Sequence, residues 1–203
     1  MRKKYILMLA LPLLLLFFGS NLKGQAPDLF ISEYIEGSSL NKALEIYNGT
    51  GGSVSLDNYF MIKVANPDGS QTLADGTVYS FTSGATVAND DVYIVYNSSA
   101  GSEISNVGDE TNGVCSFNGN DPVALIKDVN SNGTYESADD EVLELIGDMS
   151  GNDWGKDLTW VRQEYYDGNT TFTLSEWDEY AQDEFGYLDS HTYTGGTPGP
   201  TID

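Results

Sequence analysis

The segment DVNSNGTYESADD, residues 128–140, places oxygen donors at a spacing that could do chemistry. Asp128, Asn130 and Asn132 stand at its first, third and fifth places, Gly133 at the sixth and Asp139 at the twelfth. Calcium takes about six to eight oxygens, and the loops that hold it draw them from alternate places around a glycine turn. Thr134 would offer its backbone carbonyl at the seventh place, and Glu136 a direct or water-mediated contact at the ninth. Two features depart from the loop of a calcium sensor. The twelfth residue is Asp rather than the longer Glu, and the flanks PVALIKD (122–128) and EVLELIG (141–147) read as strands. With no pair of helices to open, an ion here would staple a hairpin tip and throw no switch. The alternative for the same residues is an ion-free, Asn/Gly-rich hairpin tip.

Other chemistries find few residues to use. The chain has one His, His191, and one Cys, Cys115. A catalytic zinc takes several His or Cys ligands, which this inventory does not supply. A Ser–His–Asp triad could use only His191, in LDSHTYTGG, and no nucleophile signature accompanies it. His191 reads instead as a structural residue. A metal-assisted nuclease with a His base meets the same shortage. Paired carboxylates for glycoside cleavage remain open among 31 acidic residues, but no spacing selects a pair. Cys115, in GVCSFNG, reads as a strand residue. Trp154, Trp160 and Trp177, with 13 Tyr, could stack on sugars. Most of these fall on strand positions; Trp154, in the loop NDWGKD (152–157), is expected to be exposed and able to contact a ligand.

Charge and leader bound the setting. Arg2, Lys3 and Lys4 precede an apolar run, YILMLALPLLLLFFG, and then a small polar stretch. This is the pattern of a secretory signal peptide over residues 1–24; a retained anchor is the competing reading of a run that is short for a membrane span. Removing residues 1–24 takes four of nine cations and no acid, leaving five cations against 31 acids, a net charge of −26. Such a surface repels phosphate, so direct nucleic-acid binding is not expected. It suits an exported chain, secreted or at the cell surface, that attracts cations. The lone cysteine leaves the monomer without a disulfide, so the core, with the aid of any metal, must hold it.

The elements that must position these residues are short strands. LFISEYI (29–35), ALEIYN (43–48), YFMIKVA (59–65), VYSFT (78–82), DVYIVYN (91–97), GVCSF (113–117), PVALIKD, EVLELIG and LTWVRQE (158–164) alternate or cluster β-branched and aromatic residues. TTFTL (170–174) is a further candidate. NGTGG (48–52), NPDG (66–69), NGND (118–121) and SNG (131–133) are turns, since Gly takes positive φ and Asn or Asp bonds its own backbone. No stretch carries a helical period for three turns; AGSEISNVG (100–108) allows one turn at most. This is an all-β chain, an antiparallel sandwich or barrel. DVYIVYN is apolar on both faces and reads as a central strand. YTGGTPGPTID (193–203) reads as a Gly/Pro-rich tail or a linker to a further domain.

The piece LFISEYIEGSSLNKALEIYNGTGGSVSLDNYFMIKV (29–64) resembles the start of bacterial lamin tail domains. DVYIVYN, FNGNDPVALIK (117–127), EVLELIG, WGKDLTWVRQ (154–163) and SEWDEYAQDEFGYLDSH (175–191) follow in the order of that family. The resemblance implies an immunoglobulin-like antiparallel β-sandwich over residues 28–192, and a non-catalytic module of the kind often joined to secreted nucleases, phosphatases or other hydrolases. It maps the family's polar residues onto Glu33, Glu36, Asn41, Lys42, Glu45 and Asn48, and places His191 at the module's end, where it would close the last strand by a hydrogen bond. Glu33 and Glu45 would lie on neighbouring strands with Lys42 near the turn between them. The cluster then either fixes the loop by ion pairing and side-chain caps, or binds a ligand through Glu33, Glu36 and Glu45. The expected function is an exported, non-catalytic binding or accessory module carrying one calcium ion. Its partner would be an extracellular protein or glycan, or a covalently linked hydrolase domain. The alternatives are the front part of an extracellular nuclease or phosphoesterase, and a small acid-pair glycosidase.

Overall fold

The computed structural model describes residues 24–195. The expected signal peptide, apart from Gly24, and the end of the Gly/Pro-rich tail lie outside them. Within this span the apolar runs form twelve strands in sheets of six, four and two. The large sheet combines β1 (Phe30–Glu36), β2 (Lys42–Asn48), β7 (Asp91–Tyr96), β8 (Glu110–Thr111), β11 (Leu158–Arg162) and β12 (Trp177–Ala181) in the order β12-β11-β1-β2-β7-β8. The second sheet runs β10-β9-β4-β5, from β4 (Tyr59–Lys63), β5 (Thr77–Ser80), β9 (Val123–Lys127) and β10 (Glu141–Ile146). A small ribbon pairs β3 (Val54–Ser55) with β6 (Thr86–Val87). Every pairing is antiparallel except the two-residue contact of β7 with β8. The arrangement is an all-β, immunoglobulin-like sandwich.

The two large sheets face each other across one core. Ile31, Tyr34, Leu44, Ile46, Met61, Leu125, Ile146 and Trp160 all belong to it and are buried. Each fully buried aliphatic or aromatic side chain contributes about 1.5–3 kcal/mol, and no disulfide adds to that, because Cys115 is free. The outer face of the large sheet is covered as well. Phe30, Ile35, Ala43, Tyr47 and Ile94 pack there beneath the single-turn helix α1 (Ser102–Ser105) and the segment that ends at Tyr193. Burial on both faces explains why β1 and β2 are buried along their whole length and why FISEYI carries apolar doublets instead of alternation.

Two β-bulges redirect side chains. In β1 the register shifts between Ile31 and Glu33, so Ser32 and Glu33 together oppose Glu45. In β10 it shifts between Val142 and Glu144. That turns Glu144 into the core, where it meets Arg162 of the opposite sheet.

Several expectations are corrected. GVCSF is no strand: Gly113–Cys115 forms a 3-10 turn, with Asn112 capping the N–H of Val114 through its side chain. Asn112 takes the capping role that its residue type favours, and the turn still buries Val114 and Cys115. TTFTL is irregular, and the last strand is instead β12, from WDEYA. β7 lies one place from the sheet edge, with only the short β8 beyond it. The stretch from Tyr193 is not loose at its start: Tyr193 is buried, and Thr194 donates its N–H to the Glu164 carbonyl at 2.8 Å. Trp154 is half-buried rather than displayed. Its ring packs on Gly147 at the end of β10 and lies 4.9 Å from Tyr34 and 5.1 Å from Phe172, centroid to centroid. The loop folds inward because the aromatic core is open at that corner.

Gly147 has φ +89°, and a methyl group there would sit 2.3 Å from Trp154. Both backbone strain and overpacking oppose any larger residue. Gly147→Ala is expected to lose about 2–4 kcal/mol in urea unfolding, with a red shift of tryptophan emission as Trp154 leaves its seat.

Candidate functional site

The polar residues mapped by the resemblance all sit at the β1–β2 hairpin, but the pleat divides them between two faces. On the inner face the Lys42 ammonium meets the Glu36 carboxylate, both side chains being 8% exposed. The other oxygen of Glu36 accepts the N–H of Asp157, which ties the hairpin to the loop before β11. Lys42 also stands 5.8 Å from the Phe117 ring, itself stacked on Tyr34 at 4.5 Å. Glu36 and Lys42 are register partners at the mouth of the hairpin, so the ion pair joins strand to strand across the turn. Asn41 accepts the N–H of Gly101 through Oδ1 at 2.8 Å and so holds the start of α1.

Asn48 closes the other end of β2. Its Nδ2 donates to the carbonyls of Gly52 and Val87 at 2.8 and 2.9 Å. Its Oδ1 accepts from the N–H and hydroxyl of Thr50 at 3.0 and 2.8 Å. An amide has two donors and two lone pairs, and all are used here. Asn48 thereby folds the NGTGG turn and pins it to β6.

Glu33 and Glu45 face outward from the sheet, directly opposed across β1 and β2. Both are about 1% exposed, lying under residues 182–193. Glu45 accepts from the Ser32 hydroxyl at 2.7 Å and from the Asp189 N–H at 2.8 Å. Neither oxygen of Glu33 has a hydrogen-bond partner. Burial, then the neighbouring Glu45 and Glu184, pushes the Glu33 carboxyl up to about 9. Burial also pushes Glu45 up to about 7, against the pull of its bonds from Ser32 and Asp189. Among the described residues no Lys or Arg is directed at this pair: Lys42, Lys127, Lys156 and Arg162 are ion-paired elsewhere, and Lys63 bonds the Ser116 hydroxyl.

The tip between β9 and β10 is folded by its own side chains. Asp128, 4% exposed, accepts from the N–H groups of Asn132 and Gly133 at 3.1 and 2.7 Å. Asn132 accepts from Thr134 N–H at 2.7 Å. The amide nitrogens of Asn130 and Asn132 both donate to Glu136, at 2.7 and 3.0 Å. The carboxylate that closes the loop by hydrogen bonds is Asp140, which accepts from Val129 and Glu136 N–H at 3.2 and 2.8 Å. Asp139 is exposed and gives only its backbone N–H, to the Glu136 carbonyl at 2.9 Å. Among the described residues no group of three or more His, Cys, Asp or Glu side chains could hold a metal ion. The donors at this tip are the Asp128 and Glu136 carboxylates, with amide and backbone oxygens around them. A groove of about 300 Å³, lined by Tyr59, Phe60, Phe81, Asp128 and Gly133 among others, runs beside it.

His191 does not close a strand by a hydrogen bond, since no strand forms there. Its ring lies edge-on to Tyr47 and Phe30, at 5.0 and 5.7 Å between centroids, and its Nε2 has no partner. Burial first, and Arg162 second, lower it to about 4, so it is neutral at neutral pH.

Asn48→Ala would remove four hydrogen bonds and leave the Val87 carbonyl its longer bond from the Ser53 hydroxyl, 3.3 Å. It is expected to cost about 2–3 kcal/mol, the scale of leaving buried polar groups unsatisfied. Urea unfolding measures it; a loss below about 0.5 kcal/mol would place the turn's stability elsewhere.

The lamin tail domain model matches residues 23–144. No curated protein and no solved structure matches the chain. The matched residues run through the hairpin cluster and both bulges to Glu144, whereas β11, β12 and the covering segment lie past them. The chain belongs to the lamin tail domain family.

Proposed function

We propose that this chain is an exported, non-catalytic accessory module, which presents its loops to an extracellular protein or glycan or anchors a covalently linked hydrolase domain. The observation that carries the reading is how the polar cluster is used. Lys42, Glu36, Asn41 and Asn48 spend their charges and hydrogen bonds on the hairpin, the neighbouring loop and α1. Glu33 and Glu45, the one closely opposed acid pair in that cluster, lie beneath a chain segment where a glycosidic bond could not reach them. The basic start and apolar run of the leader support export. A charge of −26 after the leader supports partners other than nucleic acid. A protein and glycan binding screen, with and without calcium, tests the reading. Saturable binding weakened by Asp128→Ala is the expected result; phosphodiester or glycoside cleavage abolished by a single acid substitution would overturn it.

The calcium ion is part of the same proposal. Asp128, Asn130, Asn132 and Gly133 are already wound into a loop whose first carboxylate is held by two backbone N–H groups, so ordering it for an ion costs little entropy. Asp128 and Glu136 would supply the charge. Binding to the native state alone adds about 2.7 kcal/mol at one hundred times the dissociation constant. The melting temperature is expected to rise on calcium titration and to stay flat in Asp128→Ala. A flat curve in the unsubstituted protein would remove calcium from the account.

A further inference from the structure

The Glu33–Glu45 pair needs its own explanation. Two carboxylates opposed on adjacent strands stand about 5 Å apart at Cβ. They are shielded from water and from every Lys and Arg of the described residues. A buried carboxylate without a partner is far too costly to keep ionised. Something positive must sit with the pair. Calcium would need about six to eight oxygens, and only two carboxylates and the Ser32 hydroxyl converge here. The proton is the cation that the space accepts.

What seals the pair is the segment 182–194. It is fastened by Asp183 accepting the Ser38 N–H at 2.8 Å, by the Thr159 hydroxyl donating to the Glu184 carbonyl at 3.2 Å, and by the Asp189 N–H on Glu45 at 2.8 Å. Phe185, Leu188 and Tyr193 add apolar contact. Its ends are tied more firmly, by Gln182 donating to Asp157 at 2.6 Å and Thr194 to the Glu164 carbonyl at 2.8 Å; the part between is lightly held, since Asp183, Asp189 and Ser190 remain exposed.

We propose that residues 182–194 form a proton-operated latch, closed on the sheet while the Glu33–Glu45 pair holds its protons and released when both carboxyls ionise. The groups that face the pair reinforce this. Glu184 of the latch acts on Glu33, and Asp189 acts on Glu45. Asp109, before β8, faces Asp189 in turn. All are acidic; the Ser32 hydroxyl and the Asp189 N–H favour a charge on Glu45, but Glu33 has no such donor, so a second negative charge is not compensated. His191, further along the latch, is neutral and adds none. β7 and β11 place the uncharged Ile94 and Val161 opposite Glu45 and Glu33.

The sign is fixed by the direction of the shifts. Both carboxyls are raised above the usual value of 4.5, so the closed state binds protons that the open state gives up. The closed latch is therefore most stable below about pH 4.5 and weakens as pH climbs through about 7, for Glu45, and then about 9, for Glu33.

Amide exchange of the full chain tests this, read as protection factors over residues 182–194 at pH 6 and pH 9 in the presence of chelator. Protection at Asp189 is expected to fall at least tenfold between the two, while Glu33→Gln with Glu45→Gln keeps it constant. Constant protection in the unsubstituted protein, or an equal fall in the double variant, overturns the latch. So does protection at pH 9 restored by millimolar calcium or magnesium, which would assign the pair to a metal ion. Should the double variant not fold, carboxyl carbon shifts of the unsubstituted protein decide. The Glu33 and Glu45 resonances, assigned apart from that of Glu144, which burial also raises, support the latch if both titrate above pH 6, and either one titrating below pH 6 overturns it.

Discussion

Among the described residues the fold has to be held together with five cations against 30 acids and no disulfide. Where each cation goes therefore decides much of the structure. Arg162 has the most consequential place. Its side chain is fully buried, Nε donates to the Ile31 carbonyl at 2.9 Å, and the two terminal nitrogens meet Glu144 and Glu176. The guanidinium plane also stands 4.1 Å from the Trp177 ring. One planar, forked group thus ties β1, β12 and the facing sheet to β11, a task a lysine could not perform. The β10 bulge exists at the point where Glu144 must turn inward to meet it.

The other cations repeat the pattern at lower cost. Lys42 joins the mouth of the first hairpin. Lys127 meets Asp28, which also accepts the Tyr59 hydroxyl at 2.8 Å, and so binds the chain's entry to the second sheet. Lys63 holds the 3-10 turn through Ser116 at 2.6 Å. Lys156 pairs with Asp153 in the open and contributes little. With the cations distributed in this way, none is left for Glu33 and Glu45. Burial raises both carboxyls, Glu33 to about 9 and Glu45 to about 7, and a segment of chain is fastened over them. The family match ends at Glu144, yet the partner of Glu144 lies in β11. The matched residues and the strands after them are thus one folding unit.

Much of this was legible in the residues. Strand runs such as YFMIKVA and DVYIVYN and the turns with Gly and Asn follow from period and spacing, while the placing of Glu33 and Glu45 on neighbouring strands is what the family resemblance implied. The misplaced elements have local causes. GVCSF has strand-like composition, but Asn112 before it offers a cap, and the backbone takes the turn. WDEYA has an edge-strand composition too charged to stand out, and only pairing with LTWVR makes it a strand. Trp154 follows Asn and Asp, which suggests exposure, while Gly147, seven residues earlier, leaves the hollow that receives it. The doublets of FISEYI hold the sign of the bulge, though the burial of Glu33 and Glu45 depends on the stretch around Glu184 and Asp189, far along the chain. Asp140 displaces Asp139 as the loop's closing carboxylate because the β10 register, and not the loop count, fixes which of two adjacent acids turns inward.

The most direct test is a double-mutant cycle on Arg162 and Glu144 in urea unfolding. If one buried cation joins the sheets, Arg162→Met takes the partner from Glu144, Glu144→Leu leaves Arg162 with Glu176 alone, and each loses about 3–5 kcal/mol. Together they would lose at least about 2 kcal/mol less than the sum, since the double variant leaves neither group unpaired. Additive losses, with a coupling below about 0.5 kcal/mol, would show that the sheets are held by apolar packing alone and contradict the account.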